Sequence, residues 1–218
     1  MDPSQATPVP DESASAPPPS GDIELLIQAT LNEKNAPEIL EFKQDVVDRL
    51  QGALSAQEEY VEALESDMCQ ELRRMVLSLE NKRVRYLLKL YHRTRLQKIE
   101  KFAASIVADE QYQDRLSESE MQYCRDYFVL LGRHFHGMVL DHLPDDFRPL
   151  VKLTKLSTHD DLILRPKLNT HVFVKAVDNC GSVLLNEDLV LDVTQNDLFI
   201  MRYEPMAHLV RTGQVVLI

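Results

Sequence analysis

Between Asp67 and Val107 the chain contains neither proline nor glycine. Through that run Met68, Leu72, Met75 and Leu79, then Val84, Leu87, Leu88, Tyr91 and Ile99, recur near helical spacing, which predicts one long helix, straight or bent. A helix of this length needs cover for its apolar residues, so the flanking sequence has to supply partner elements.

It supplies helices on both sides. In "GDIELLIQATLNEKNAPEIL", Asp22 stands at an N-cap position, Ile23, Leu26, Ile27 and Leu31 follow at helical spacing, and Pro37 forces a break or a new first turn. "DIELLIQATL" on its own is also a short acidic, amphipathic stretch of the kind that lies in another protein's groove. Its direct continuation into "NEKNAPEIL" favours the first helix of a bundle instead. From Asp45 to about Ser66, Val46, Val47, Leu50, Leu54, Val61 and Leu64 mark a second amphipathic helix. Downstream, Ser117 and Glu120 have capping-box spacing before a helix through roughly Leu140, and Pro144 ends it. Helices joined by short connections imply an antiparallel bundle.

After about residue 150 the pattern changes. "THVFVKAV" (170–177) alternates as a half-buried strand, "NCGS" reads as a turn, and "EDLVLDVTQNDLFIMRY" as two strands split around Gln195 and Asn196. Pro205 starts a short helical turn, Gly213 breaks it, and "QVVLI" is an apolar strand. The expected class is therefore mainly α: a helical bundle over 22–150, a linker over 151–165 and a small β-rich domain over 166–218. About 50 residues is little for an independent core, so the last part is expected to lean on something else. Residues 1–21, rich in Pro, Ser and Ala, cannot bury enough surface to offset ordering and read as a disordered tail.

Composition narrows the function classes. With 218 residues, 44% of them apolar, there is material for a real core, and no stretch is apolar enough to cross a membrane. The first residues show neither the basic and apolar regions of a secretory signal nor an Arg-rich transit pattern. Cys69, Cys124 and Cys180 are too scattered for a disulfide framework or a zinc site, and read as reduced thiols. The formal charge of −11 means that general attraction to nucleic-acid phosphate is not the chain's behaviour.

That charge is sorted along the sequence. Residues 22–80 carry 14 acids and 5 bases, a net −9, whereas "NKRVRYLLKLYHRTRLQKIEKF" (81–102) carries 8 bases and one acid, a net +7. On a helical wheel Val84, Leu87, Leu88, Tyr91, Ile99 and Phe102 form one stripe about 120° wide. Lys82, Arg85, Lys89 and Arg93 lie on an adjoining arc, but Arg95 and Lys98 project inside the stripe. An unpaired buried charge is strongly unfavourable, so these two are expected to meet carboxylates or carbonyls, from the acidic second helix or from another chain. For most of the bases, a solvated face that neutralises the acidic segment is as good a reading as any contact. The segment has no helix-turn-helix, zinc-finger or ribonucleoprotein signature, which argues against base-specific readout.

Catalytic chemistry finds no foothold. His134 and His136 in "RHFHGMVLDH" are about 200° apart on a helix and cannot share a metal, and Asp145–Asp146 and Asp160–Asp161 have no acid, base or nucleophile placed by spacing. Six glycines, none in a phosphate-cradling pattern, exclude the common nucleotide motifs. Cys124, beside Tyr123 on an apolar helix, reads as core. No catalytic, cofactor or metal site is expected.

"LNEKNAPEIL" (31–40), "RVRYLLKLYHRTRLQKIEKF" (83–102), "LPDDF" (143–147), "THVFVKAV" and "HLVRTGQVVLI", in this order, resemble the Sld-five-type subunit of the eukaryotic GINS complex over residues 22–218. The resemblance implies a non-enzymatic scaffold subunit of a nuclear heterotetramer, with a helical A domain and a β-rich B domain. It implies three sister GINS subunits as partners and, through the assembly, the MCM helicase ring, the Cdc-forty-five factor, replisome adaptors and polymerase, in initiation and elongation of DNA replication. It implies no membrane and only indirect or weak contact with DNA. It also implies a subunit-interface role for Arg83, Arg85, Tyr86, Tyr91, Arg93, Arg95, Lys98, Ile99 and Glu100, a neighbouring subunit completing the pairing of Arg95 and Lys98. The rival reading is a stand-alone nucleic-acid-binding helical module that uses residues 82–101 on phosphates. Because the composition of the first residues cannot form core, deleting residues 1–20 is expected to leave assembly with co-expressed sister subunits intact, as read by co-purification.

Overall fold

The uninterrupted run forms α3, Met68–Ala108, whose dihedrals depart from helical values only at Phe102 (φ −110°, ψ 18°), where the helix kinks. The computed structural model describes residues 20–64, 68–152, 156, 162–179, 181–186 and 189–218. Residues 1–19, Asp160–Asp161 and Cys180 lie outside them. Before α3 come α1, Ser20–Asn35, and α2, Gln44–Ala63; after it come α4, Glu110–Gln113, and α5, Glu118–Met138. The described residues gather into two compact units, one of residues up to Ala29 with Lys43–Tyr91, the other of Thr30–Phe42 with His92–Ile218.

In the first unit Leu26, Val47, Leu50, Leu77, Val84, Leu88 and Tyr91 are buried. Asp22 is not the cap of α1, which starts two residues earlier, so Ser20 and Gly21 are helix rather than tail. Its carboxylate takes a two-pronged hydrogen bond from Arg49 Nε (3.0 Å) and Nη2 (2.7 Å), and that bond chiefly holds the Asp22 carboxyl below its ordinary value. The Tyr91 hydroxyl accepts the Lys43 backbone N–H at 3.2 Å, on the residue just before α2.

In the second unit the residues around Pro37 do not start a new helix. Ala36–Lys43 runs as an irregular strap between α1 and α2. Ile39 buries with Ile99, Phe102, Ala103, Ile106 and Cys124 in one apolar cluster. Burial pushes the Cys124 thiol up and keeps it protonated. α5 opens on the capping box foreseen from its spacing: Ser117 Oγ accepts the Glu120 N–H while the Glu120 carboxylate accepts the Ser117 N–H.

The C-terminal part holds β1 His171–Ala176, β2 Gly181–Asn186, β3 Leu189–Val193, β4 Leu198–Arg202, α6 Tyr203–Thr212 and β5 Val215–Leu217. β1 is central in an antiparallel sheet of order β4-β1-β5, with Val172 opposite Met201 and Val174 opposite Leu217, while β2 and β3 pair separately. Val172, Val174 and Ala176 alternate inward as the sequence pattern requires. Two expectations need correction. Gly181 and Ser182 begin β2 rather than complete a turn. The turn at Pro205 is a ten-residue helix, since proline at the third position removes only an N–H that has no intrahelical partner. Tyr203, Met206, Leu209 and Val210 of that helix are buried, and Gly213 closes it in the left-handed region (φ 80°).

This small module leans on the strap, as its size requires. Ala36 belongs to its apolar core. Asn32 Oδ1 accepts the Leu217 N–H at 2.8 Å, and Glu38, 2% exposed, accepts from Tyr203 Oη, Arg211 Nη2 and Arg115 Nη1, each at 2.8 Å. Burial alone would raise the Glu38 carboxyl, but the bonds from Arg115, Arg211 and Tyr203 outweigh it and hold the net value below the ordinary one. A depressed carboxylate stabilises the fold above its unfolded pKa, and that contribution is lost as the pH falls through the folded value. In an acid titration from about pH 5 to 3 followed by tyrosine near-ultraviolet circular dichroism, the wild type is expected to loosen its C-terminal module. Glu38→Gln is expected to start less stable at neutral pH and to lose less across that window.

Candidate subunit interface

Arg95 has no exposed surface, and the structure shows what permits that. All five of its N–H groups are used: Nε and Nη2 on the two oxygens of Glu120 (2.8 Å each), Nη1 on Glu33 Oε2 (3.0 Å) and on the Leu40 carbonyl (2.8 Å), and Nη2 again on the Arg115 carbonyl (3.1 Å). The guanidinium also lies 5.2 Å from the centre of the Phe42 ring. Lys98 Nζ is 3.0 Å from Glu33 Oε1 and donates to the Glu38 carbonyl at 2.7 Å; burial pulls this ammonium below its ordinary pKa, against the pull of Glu33.

Carboxylates and carbonyls therefore meet both cations in the stripe, as the wheel requires. Their source corrects the expectation: Glu33 is on α1, Glu120 on α5 and Glu38 on the strap, so neither α2 nor a neighbouring subunit is called upon. Glu120 serves twice, as capping residue of α5 and as the bidentate partner of Arg95. Among the residues expected to carry the interface, Tyr91, Arg95 and Ile99 are buried in their own chain. Lys98 is nearly so. Arg83, Arg85, Tyr86, Arg93 and Glu100 are exposed. Of these, Arg85 is ion-paired to Glu58, and Glu100 accepts the Tyr123 hydroxyl at 2.6 Å, a bond that pushes the Tyr123 phenol up to about 12.

The buried positions Leu77, Asn81, Val84, Leu88, Tyr91 and Arg95 advance in alternating steps of four and three, as in a coiled-coil seam, and span about 80° of the wheel. A second series in the same rhythm, Leu72, Val76, Leu79, Arg83, Tyr86 and Leu90, runs on the opposite side. Leu72, Met75, Val76, Leu79 and Tyr86 on that side are between 58% and 70% exposed. The sequence reading merged Leu72, Met75 and Leu79 with the inward residues, because apolar positions on two faces of one helix look like one continuous run. In the second unit, α5 likewise leaves Val129, Leu130, Phe135 and Met138 exposed. No group of acids, histidines and cysteines able to hold a metal occurs among the described residues, and no described helix is long and apolar enough to cross a membrane.

Two family models match the chain: residues 43–139 fit the GINS complex protein helical bundle domain of Sld5, and residues 166–218 fit the C-terminus of the DNA replication complex GINS protein SLD5. The chain belongs to the SLD5 family. Relatives named DNA replication complex GINS protein SLD5 include one from Arabidopsis thaliana, 32% identical over 91% of this chain and 92% of its own length. Those from Rattus norvegicus and Homo sapiens are 31% and 29% identical over 90% of this chain and 88% of theirs. The bundle model ends at the last turn of α5, and the second model opens just before β1.

Removing the guanidinium leaves the buried Glu120 carboxylate without its cation and Glu33 with Lys98 alone. Arg95→Ala is accordingly expected to lose about 3–5 kcal/mol of stability in urea denaturation of the second unit. The exposed Lys89→Ala is expected to lose less than about 0.5 kcal/mol in the same measurement.

Proposed function

We propose that the chain is a non-enzymatic scaffold subunit of a GINS heterotetramer, acting in the nucleus with three sister subunits. Through them it joins the MCM ring and the Cdc-forty-five factor in the helicase assembly that initiates and extends replication, with access to replisome adaptors and polymerase. On this reading residues 22–150 act as the helical A domain, 151–165 as the linker and 166–218 as the β-rich B domain.

The observation that carries the reading is the outward seam of α3. Four large apolar side chains in two helical turns, each more than half exposed, form a patch that a solitary protein rarely keeps bare. Their coiled-coil rhythm suits another helix better than a small molecule or a phosphate backbone. The relatives, each named as a protein of a DNA replication complex, give the family context. Among the nine residues first assigned to the interface, the role is proposed for the exposed Arg83, Tyr86 and Arg93, joined now by Leu72, Met75, Val76 and Leu79. Tyr91, Arg95, Lys98 and Ile99 act from beneath, by holding the helix in place.

The double variant Val76→Asp/Leu79→Asp changes only exposed positions and is expected to keep the helical circular dichroism of the wild type. When co-expressed with the three sister subunits, it is expected to lose most of the co-purified partner, and native mass measurement is expected to show a smaller complex. Full retention of the tetramer would remove the basis of the reading.

A further inference from the structure

The outward seam of α3 changes chemistry along its length. The stretch from Leu72 to Leu79 presents apolar side chains; the next turns present Lys82, Arg83, Tyr86 and Lys89, all exposed. These residues fall within about 140° of one another on the wheel, so they form one face rather than two. Arg85, just off that face, is ion-paired with Glu58. Lys82, Arg83 and Lys89 have no such pairing among the described residues. Three unneutralised cations on one face of a chain of net charge −11 are a local feature that intrachain neutralisation leaves unexplained.

We propose that this seam receives a single helix of a different chain, one whose contacting face is apolar for about two turns and then bears Asp and Glu, the acids set about 15 Å along its axis from the apolar residues. The inference rests on the interface reading above and adds the chemistry and register of the partner. The separation follows from the rise of the helix, since the apolar and cationic stretches are centred ten residues apart. The rhythm of the seam calls for a helix. A second copy of this chain does not fit it: a parallel pairing sets cations against cations, and an antiparallel one sets them against Leu72–Leu79, where they lose hydration without gaining a counter-charge. Nucleic acid fits half of the face at most, because a phosphate backbone offers the apolar turns nothing to bury against. An acidic helix satisfies both halves at once, and the charged half fixes its direction and register.

Carbodiimide forms a zero-length amide between a lysine and a carboxylate already in contact. Applied to the complex of this chain with its co-expressed sister subunits, it is expected to join Lys82 and Lys89 to Asp or Glu of one sister subunit, with apolar residues about ten positions away in the same helix. The triple variant Lys82→Glu/Arg83→Glu/Lys89→Glu is expected to retain about tenfold less of that subunit and to recover part of it as salt is raised.

Val76→Asp/Leu79→Asp measured alongside separates the two readings. If the apolar variant breaks assembly while the charge reversal does not, or if the cross-links run only within this chain, the acidic partner is wrong and the interface stands. If neither variant affects assembly, both fall. A third arm adds a labelled duplex oligonucleotide: loss of duplex binding by the triple variant with undiminished sister-subunit retention would make the face a phosphate contact and overturn the inference.

Discussion

A guanidinium with no exposed surface is tolerable only if its charge and all its donors are met, and in this chain Arg95 sets that condition for the elements around it. Meeting it requires Glu33 from the end of α1, a carbonyl from the strap, a carbonyl from the loop before α5, and both oxygens of Glu120 from the first turn of α5. Separations of 25 and 62 residues are thereby closed around one side chain. The strap cannot move without unpairing a buried ion, and the strap in turn carries Glu38, on which Tyr203 and Arg211 close. The position of the C-terminal module is thus tied, through two buried carboxylates in sequence, to a single arginine on α3.

The pattern of the sequence reached this arrangement part of the way. Periodicity gave α2, α3 and α5 to within about three residues at each end, and the Ser117–Glu120 spacing gave a cap that the structure contains. The wheel put Arg95 and Lys98 among apolar neighbours and demanded counter-charges. It could not name them, because residues distant in sequence leave no periodic trace of their meeting. Pro37 announced a break but not an irregular strap, whose course is fixed by bonds to other elements. β2 escaped notice because its first two residues, Gly181 and Ser182, read as the end of a turn and leave only "VLL", too short and without alternation to mark a strand. α6 reads short in the sequence because Pro205 marks its first residue there, whereas the helix begins two residues earlier, at Tyr203, and runs to Thr212.

The assignment of interface residues shows the same limit from the other side. A conspicuous helix contains both what a protein keeps for itself and what it offers, and the composition of the two faces of α3 is similar enough to conceal the division. Only burial distinguishes Tyr91, sealed against its own chain, from Tyr86, bare one and a half turns away. The inward seam holds one polar cation and satisfies it completely; the outward seam holds several and satisfies few of them. That asymmetry, more than the total positive charge of residues 81–102, is what gives the segment its meaning.

The hydrogen bond from Leu217 to Asn32 spans 185 residues. During synthesis, the strap leaves the ribosome long before Tyr203, Arg211 and Leu217 exist, and until they do Glu38 has only Arg115 to hold. Closure of the second unit is therefore a late, non-local event, of the kind whose entropic cost slows folding. For that interval Ile39 is already covered by α3 and α5, while Ala36 and Leu40 face a C-terminal core that does not yet exist, so one side of the strap stays uncovered until the last residues have emerged.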